Sequence, residues 1–239
     1  MTNNVLEMRD IGMVFGEGES LVEALTHVDL DVREGELVAL IGPSGSGKST
    51  LLSIAGALLT PTTGTVLLDG VDITTAGEKQ RAELRLQKIG FIFQGSNLIS
   101  YLTAREQLLF IGHLTDMDKH ASAQRADRLL DELGMSARAR HYPDALSGGQ
   151  RQRVAIGRAL MNDPRIIFAD EPTASLDSAR GRQVVTLLAS EIHERNKAGI
   201  LVTHDERLID LCDRVVRITD GRIETASGVG PEQIPVGAV

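Results

Sequence analysis

The chain has 239 residues, 42% hydrophobic and 3% aromatic, with 33 acidic against 25 basic side chains and a formal net charge of -8. This composition suits a globular protein with a sizeable core, and its acidic balance argues against nucleic acid as the main partner, because phosphate neutralisation needs clustered Lys and Arg. A single cysteine, Cys212, excludes an intrachain disulfide and fits a reducing compartment.

In chain order, Leu6–Asp10 and Val28–Val32 read as antiparallel strands on either side of the Gly-rich stretch Gly16–Glu19. A turn at Arg33–Glu36 leads into the apolar strand 37–41. That strand is far short of the ~20 residues of a membrane-spanning helix, and Met1–Asn4 lacks the basic and apolar regions of a signal peptide. A Gly-rich loop follows, then a helix over 50–59 stopped by Thr60-Pro61. Strands are predicted at 65–68 and 90–93. From about 97 to 160 the periodicity turns helical, most clearly in 123–133 with Gly134 as C-cap, and a helix is predicted over 149–161. Beyond it, the apolar strands 166–169, 199–202 and 215–218 alternate with helices, the pattern of a parallel sheet. The expected organisation is an α/β P-loop core over 1–223, with an N-terminal antiparallel β subdomain and a helical subdomain inserted at about 97–160. A flexible tail is expected over 224–239.

Three segments carry chemistry. Gly42-Pro43-Ser44-Gly45-Ser46-Gly47-Lys48-Ser49-Thr50 contains GxxxxGK[ST] between a predicted strand and a predicted helix. Its backbone N–H groups can close around phosphates, Lys48 can reach the β- and γ-phosphates of ATP, and the Ser49 hydroxyl suits Mg²⁺. Arg165–Glu171 delivers two acids at the end of a buried strand: Asp170 placed to hold Mg²⁺, and Glu171 placed to polarise an attacking water. Leu146-Ser147-Gly148-Gly149-Gln150 offers a hydroxyl and two glycine amides at a predicted helix N-terminus, a second anion cradle. A chain that already owns one phosphate cradle does not obviously need another, so the economical reading gives this one to the ATP of a second copy.

With these motifs the chain resembles the ATP-binding-cassette (ABC) family over nearly its whole length. The resemblance implies a RecA-like core and that Ser147 and Gly149, within the 146–150 signature, contact the γ-phosphate bound by the opposite subunit. It also implies that Gln94 is the Q-loop contact to Mg²⁺ and water, that Asp177 of Ser175-Leu176-Asp177 crosses the dimer interface, and that His204 contacts the γ-phosphate. Phe15 sits where the family places an aromatic, more often Tyr, to stack on adenine, with a core Phe as the alternative. The catalytic set expected is thus Glu171, His204 and Lys48.

Compact helical content and the stretch 93–99 resemble the cassettes of macrolide- and lipoprotein-type exporters, which pair with a permease bearing a large extracytoplasmic domain. Thr203–Asp210 with Cys212–Arg214 is similar to the subgroup of haem exporters and the heterocyst glycolipid exporter. Ser100-Tyr101 departs from relatives that often place a Pro just before Leu102-Thr103. The resemblance implies a homodimeric ATPase held at the cytoplasmic face of the membrane by its permease and driving efflux, with haem as the substrate. The alternative is the ATPase of a non-transporting complex such as a cell-division regulator.

Overall fold

The computed structural model describes residues 3–16 and 21–228. Its elements are β1 (Asn4–Phe15), β2 (Val22–Arg33), β3 (Leu37–Ile41), α1 (Lys48–Ala55), β4 (Thr63–Leu68), β5 (Val71–Asp72), α2 (Glu78–Lys88) and β6 (Ile89–Phe93). There follow α3 (Ala104–Leu114), α4 (Lys119–Glu132), α5 (Gly148–Leu160), β7 (Ile166–Asp170), α6 (Ser178–Glu194), β8 (Ala198–Val202), β9 (Arg214–Thr219) and β10 (Arg222–Gly228). The strands form two sheets. One is antiparallel, in the order β2-β1-β4-β5; the other runs β10-β9-β3-β8-β7-β6. In the second sheet β9, β3, β8, β7 and β6 are parallel, and β10 adds an antiparallel edge.

The central strands are apolar at every position because both faces are covered. In β3, Leu37, Ala39 and Ile41 join the core shared with α3–α6, while Val38 and Leu40 join the core shared with α1 and the antiparallel sheet. The same alternation splits Ile167 and Ala169 from Ile166 and Phe168 in β7. Phe168 is fully buried, and truncating it to Ala would cost about 3–5 kcal/mol.

The helical block is α3, α4 and α5, joined by 3-10 turns at Ser136–Arg138 and Pro143–Ala145. Thr103 caps α3 in a reciprocal box with Glu106, and Asp118 caps α4. Gly134, just past α4, adopts φ 67°, the left-handed conformation that ends helices.

Three sequence expectations change. The helix after the Gly-rich loop begins at Lys48 and ends at Ala55, short of Leu59. A polar helix, α2, occupies 78–88 where none was expected; none of its residues is buried, so it has no apolar stripe to read. The sheet also does not stop at 223: β10 continues to Gly228, paired along β9. The rest of the expected tail, 229–239, and residues 17–20 of the first Gly-rich turn lie outside the described residues.

Candidate nucleotide site

The parallel sheet sets the site. In strand order β3, β8, β7, β6, the loops leaving the C-terminal ends carry Lys48, then His204, then Asp170 and Glu171, then Gln94. Adjacent strands are ~4.8 Å apart, so residues up to 156 positions apart in sequence form one row at the sheet's edge. An open cleft of 450 Å³ runs along that row, lined by Gly42, Ser44, Gly45, Gly47, Lys48, Ser49, Thr50, Gln94, Asp170, Glu171 and His204. Ala24 and Val202 also line it. Sequence reasoning missed both, because an apolar residue flanking a cleft has no signature of its own.

The loop after β3 turns sharply. Gly47 has φ 101°, and a Cβ there would stand 2.7 Å from the Ala24 carbonyl oxygen. Gly42 has φ 153°, and its Cβ would strike the Ile218 carbonyl. Glycine is required at both places. Lys48 is buried, and its ammonium donates to the carbonyls of Gly42 (2.8 Å) and Pro43 (2.7 Å), folding the loop around its own cation. Ser46 is buried beside it, and its hydroxyl has no partner among the described residues. No side chain caps α1, so its first-turn N–H groups face the cleft with the helix dipole behind them.

Burial raises the Asp170 carboxyl above the usual carboxylate range; the neighbouring Glu171 charge adds to this and Lys48 opposes it. Glu171 holds φ 45°, an uncommon conformation for a non-glycine residue, with its N–H donating to the Val202 carbonyl (3.0 Å). That turn aims its carboxylate at His204, whose Nδ1 lies 3.0 Å from Glu171 Oε2. Asp170, Gln94 and Ser49 bring three oxygen donors to the same cleft, a hard set suited to Mg²⁺.

The remaining predicted residues are not in this cleft. Ser147, Gly149 and Gln150 line a second one of 240 Å³, together with Met135, Arg153, Arg180 and Gln183. Ser147 caps α5: its hydroxyl accepts from the Gln150 N–H (3.3 Å), and Gln150 Oε1 accepts from the Ser147 N–H (2.9 Å). Gly148 packs against Leu176 of the turn before α6. Asp177 caps α6, accepting from the Arg180 N–H (3.0 Å). Phe15 is the last residue of β1, paired with Val22 and 41% exposed, which excludes the core alternative.

The architecture and motifs agree with what known proteins show. A profile described as "ABC transporter" matches residues 25–174. The chain belongs to the ABC transporter family. A protein named "Putative hemin import ATP-binding protein HrtA" from Staphylococcus haemolyticus is 47% identical over 219 residues, 92% of this chain and 99% of that protein. Its namesake from Staphylococcus aureus strain MRSA252 is 47% identical over 218 residues, 91% and 98% of the two chains. Among solved structures, the ATP-binding cassette MJ0796, as a post-hydrolysis dimer bound to ADP and Pi, superposes with a TM-score of 0.84 at 38% identity, covering 93% of this chain and 98% of that one. The cassette cbiO1 from Clostridium perfringens gives 0.86 at 27% identity, covering 95% and 89%. This ABC protein is therefore an ATP-hydrolysing cassette, the ATP-binding subunit of a transporter. Among its described residues no helix is long and apolar enough to cross a membrane.

Proposed function

We propose that this ATPase drives haem efflux through a separate membrane permease, working as a homodimer in which the Lys48 cleft of one chain and the Ser147–Gln150 cleft of the other share each ATP. The observation that supports shared sites is Gly149. It does not adopt a left-handed φ, and a Cβ placed on it would meet nothing within 4 Å. Neither the backbone nor the packing of its own chain asks for glycine, and the space beside it in the cleft at the α5 N-terminus is free for a group from outside the chain. A neighbour's triphosphate, approaching the N-terminus of α5, fits that space.

Within one composite site, Lys48 and the uncapped amides of α1 take the β- and γ-phosphates, and Phe15 offers its exposed ring to adenine. Ser49, Gln94 and Asp170 would hold Mg²⁺, and a cation there would offset the burial penalty on the Asp170 carboxylate. When bound, Mg²⁺ neutralises charge on the phosphate oxygens. Glu171 takes the proton of the attacking water. His204, braced by Glu171, contacts the γ-phosphate from the adjacent strand end. Ser147 and the amides of α5 close the opposite side from the partner, so the site is complete only in the closed dimer and ATP favours closure by differential affinity. Hydrolysis removes that preference.

The permease, with its extracytoplasmic domain, docks on an apolar cleft of 470 Å³ beside Gln94, lined by Leu58, Phe91, Phe93, Ile99 and Phe110 among others, and thereby holds the ATPase at the cytoplasmic face. Glu171→Gln should keep ATP binding, lose turnover and accumulate as an ATP-bound dimer in size-exclusion chromatography with light scattering. Near-normal turnover would remove Glu171 from the base role. The resemblance of 93–99 and 203–214 to exporter cassettes supports efflux, and the relatives' names support haem but carry the word import. Cells lacking the gene decide the direction: hypersensitivity to added haem means efflux, and failure to grow on haem as the iron source means import.

A further inference from the structure

The segment that follows Gln94 is held by side chains of the helix that begins at the signature. Gln152, on α5, is 1% exposed. Its amide nitrogen donates to the carbonyls of Phe93 (3.2 Å) and Gln94 (3.0 Å). Two carbonyls fix the amide's orientation, because only its NH₂ can face both. The opposite atom, Oε1, is buried and receives no donor from the described residues. Six residues on, Arg158 donates to the carbonyls of Ser96 (2.9 Å) and Asn97 (2.6 Å). Both Ser96 and Asn97 sit at positive φ, 55° and 44°, so these bonds hold a backbone that would otherwise relax. From the other side Gln107 of α3, also 1% exposed, accepts from the Ile99 N–H and donates to the carbonyls of Ile99 and Leu102.

We propose that Gln152 is a positioning residue that couples the two nucleotide sites of the dimer, carrying the state of Gln94 in its own chain's site to the Ser147 end of α5 in the partner's site. The proposal rests on the shared-site reading. Ser147 and Gln152 lie on one helix, five residues or about 7.5 Å apart along its axis, and the Ser147–Gln150 cap makes that first turn rigid. A shift of the Gln94 backbone therefore pulls on α5 close to its N-terminus. The pull comes through two hydrogen bonds buried from water, where geometry is felt most strongly. Gln152 does not touch the nucleotide cleft, and its effect passes through α5.

The test uses Gln152→Met, which keeps length and volume and removes both hydrogen bonds, in the full-length chain. MgADP binding to the single chain, measured by calorimetry, and the thermal midpoint check that the fold and the Lys48 cleft are intact. ATP-driven dimerisation is then followed in the Glu171→Gln background with and without Mg²⁺. The expected result is MgADP affinity within twofold of the parent and an ATP half-saturation for dimerisation raised about tenfold, the scale of one or two lost buried hydrogen bonds. The ratio of half-saturations with and without Mg²⁺ should also shrink toward one, which a packing defect alone would not produce. Should Gln152→Met not fold, Gln152→Asn keeps the amide but is too short to reach both carbonyls, and the same shifts are expected. Unchanged half-saturation and an unchanged Mg²⁺ ratio in a folded variant overturn the proposal. If Glu171→Gln alone does not dimerise with ATP, the shared-site reading fails instead, and the two failures are distinct.

Discussion

Two helix N-termini in this chain look alike in sequence, each marked by glycine and serine, yet they are built on opposite principles. At α1 the glycines serve the backbone: Gly42 and Gly47 occupy conformations and spaces closed to any other residue, no side chain caps the helix, and Lys48 stands over the loop. At α5 the backbone is ordinary, Ser147 and Gln150 cap each other, and Gly149 faces open space. The first terminus is finished by its own chain. The second is capped by its own side chains, with Arg153 and Arg180 beside it in the cleft. A glycine that the fold does not need is thus a better pointer to an outside partner than one that it does.

The sharpest way to break this contrast is to damage the two termini in separate chains. Ser147→Arg and Lys48→Ala homodimers should each lose at least about 100-fold in ATPase rate, the scale of removing preorganised charge stabilisation. Mixing them should recover activity that neither has alone, because the hybrid pairs one intact Lys48 with one intact Ser147. Absence of recovery would mean that the sites are not shared.

A smaller and more discriminating effect separates the glycines. Gly149→Ala should raise stability by about 0.5–1 kcal/mol, since alanine is the better residue at an unstrained helical position, while ATPase activity falls about tenfold. Gly47→Ala should lower both, because its φ of 101° and the Ala24 carbonyl exclude a Cβ. A parallel loss of stability in the two variants would erase the distinction.

Asp170 sharpens the comparison within the first cleft. Its carboxyl is raised chiefly by burial, so the folded state binds that proton more tightly than the unfolded chain does, and stability is full at low pH and lost as pH rises through the raised pKa. Asp170→Asn should therefore abolish turnover yet raise the thermal midpoint at pH 7 by a few degrees. The gain should fade as the pH falls into the carboxylate range.

The smallest effect lies at the opposite end of the sheet. Asp69 is a carboxylate partner of Lys88 (2.9 Å) and Arg165 (3.1 Å). Burial opposes its ionisation, but these two cations outweigh it and hold its carboxyl below the ordinary value. Its contribution is present above the unfolded pKa and lost as pH falls through the lowered one. Asp69→Asn should thus cost stability at pH 7, measured by urea titration, and match the parent once the pH is below the lowered pKa.

The parts legible in the sequence are those whose chemistry is local. The glycines at 42–47 and the capped signature at 147–150 declare their conformations in a few residues, and the run 166–169 is apolar throughout because two layers cover it. What could not be read depends on partners far along the chain. α2 has no fully buried residue and is tied down by Arg85, which donates to the Ala57 carbonyl (2.6 Å), and by Leu84 packed against the core. β10 is a strand because β9 lies beside it, although its Gly- and Ser-containing sequence reads as a tail. Gln152 and Arg158 act on backbone carbonyls some sixty positions away, and a bond to a carbonyl leaves no mark on the identity of the residue that supplies it.

The strand order β3-β8-β7-β6 has a consequence for biogenesis. Residues 42–50 emerge early in synthesis, but their neighbour in the sheet, β8, is made some 150 residues later, and long-range parallel pairing is slow to form. The nucleotide row is consequently among the last features to be assembled. ATP would then inspect the finished sheet: on the proposed function, a chain that has mispaired any of the four strands could not hold the nucleotide, and so would neither dimerise nor join a membrane complex.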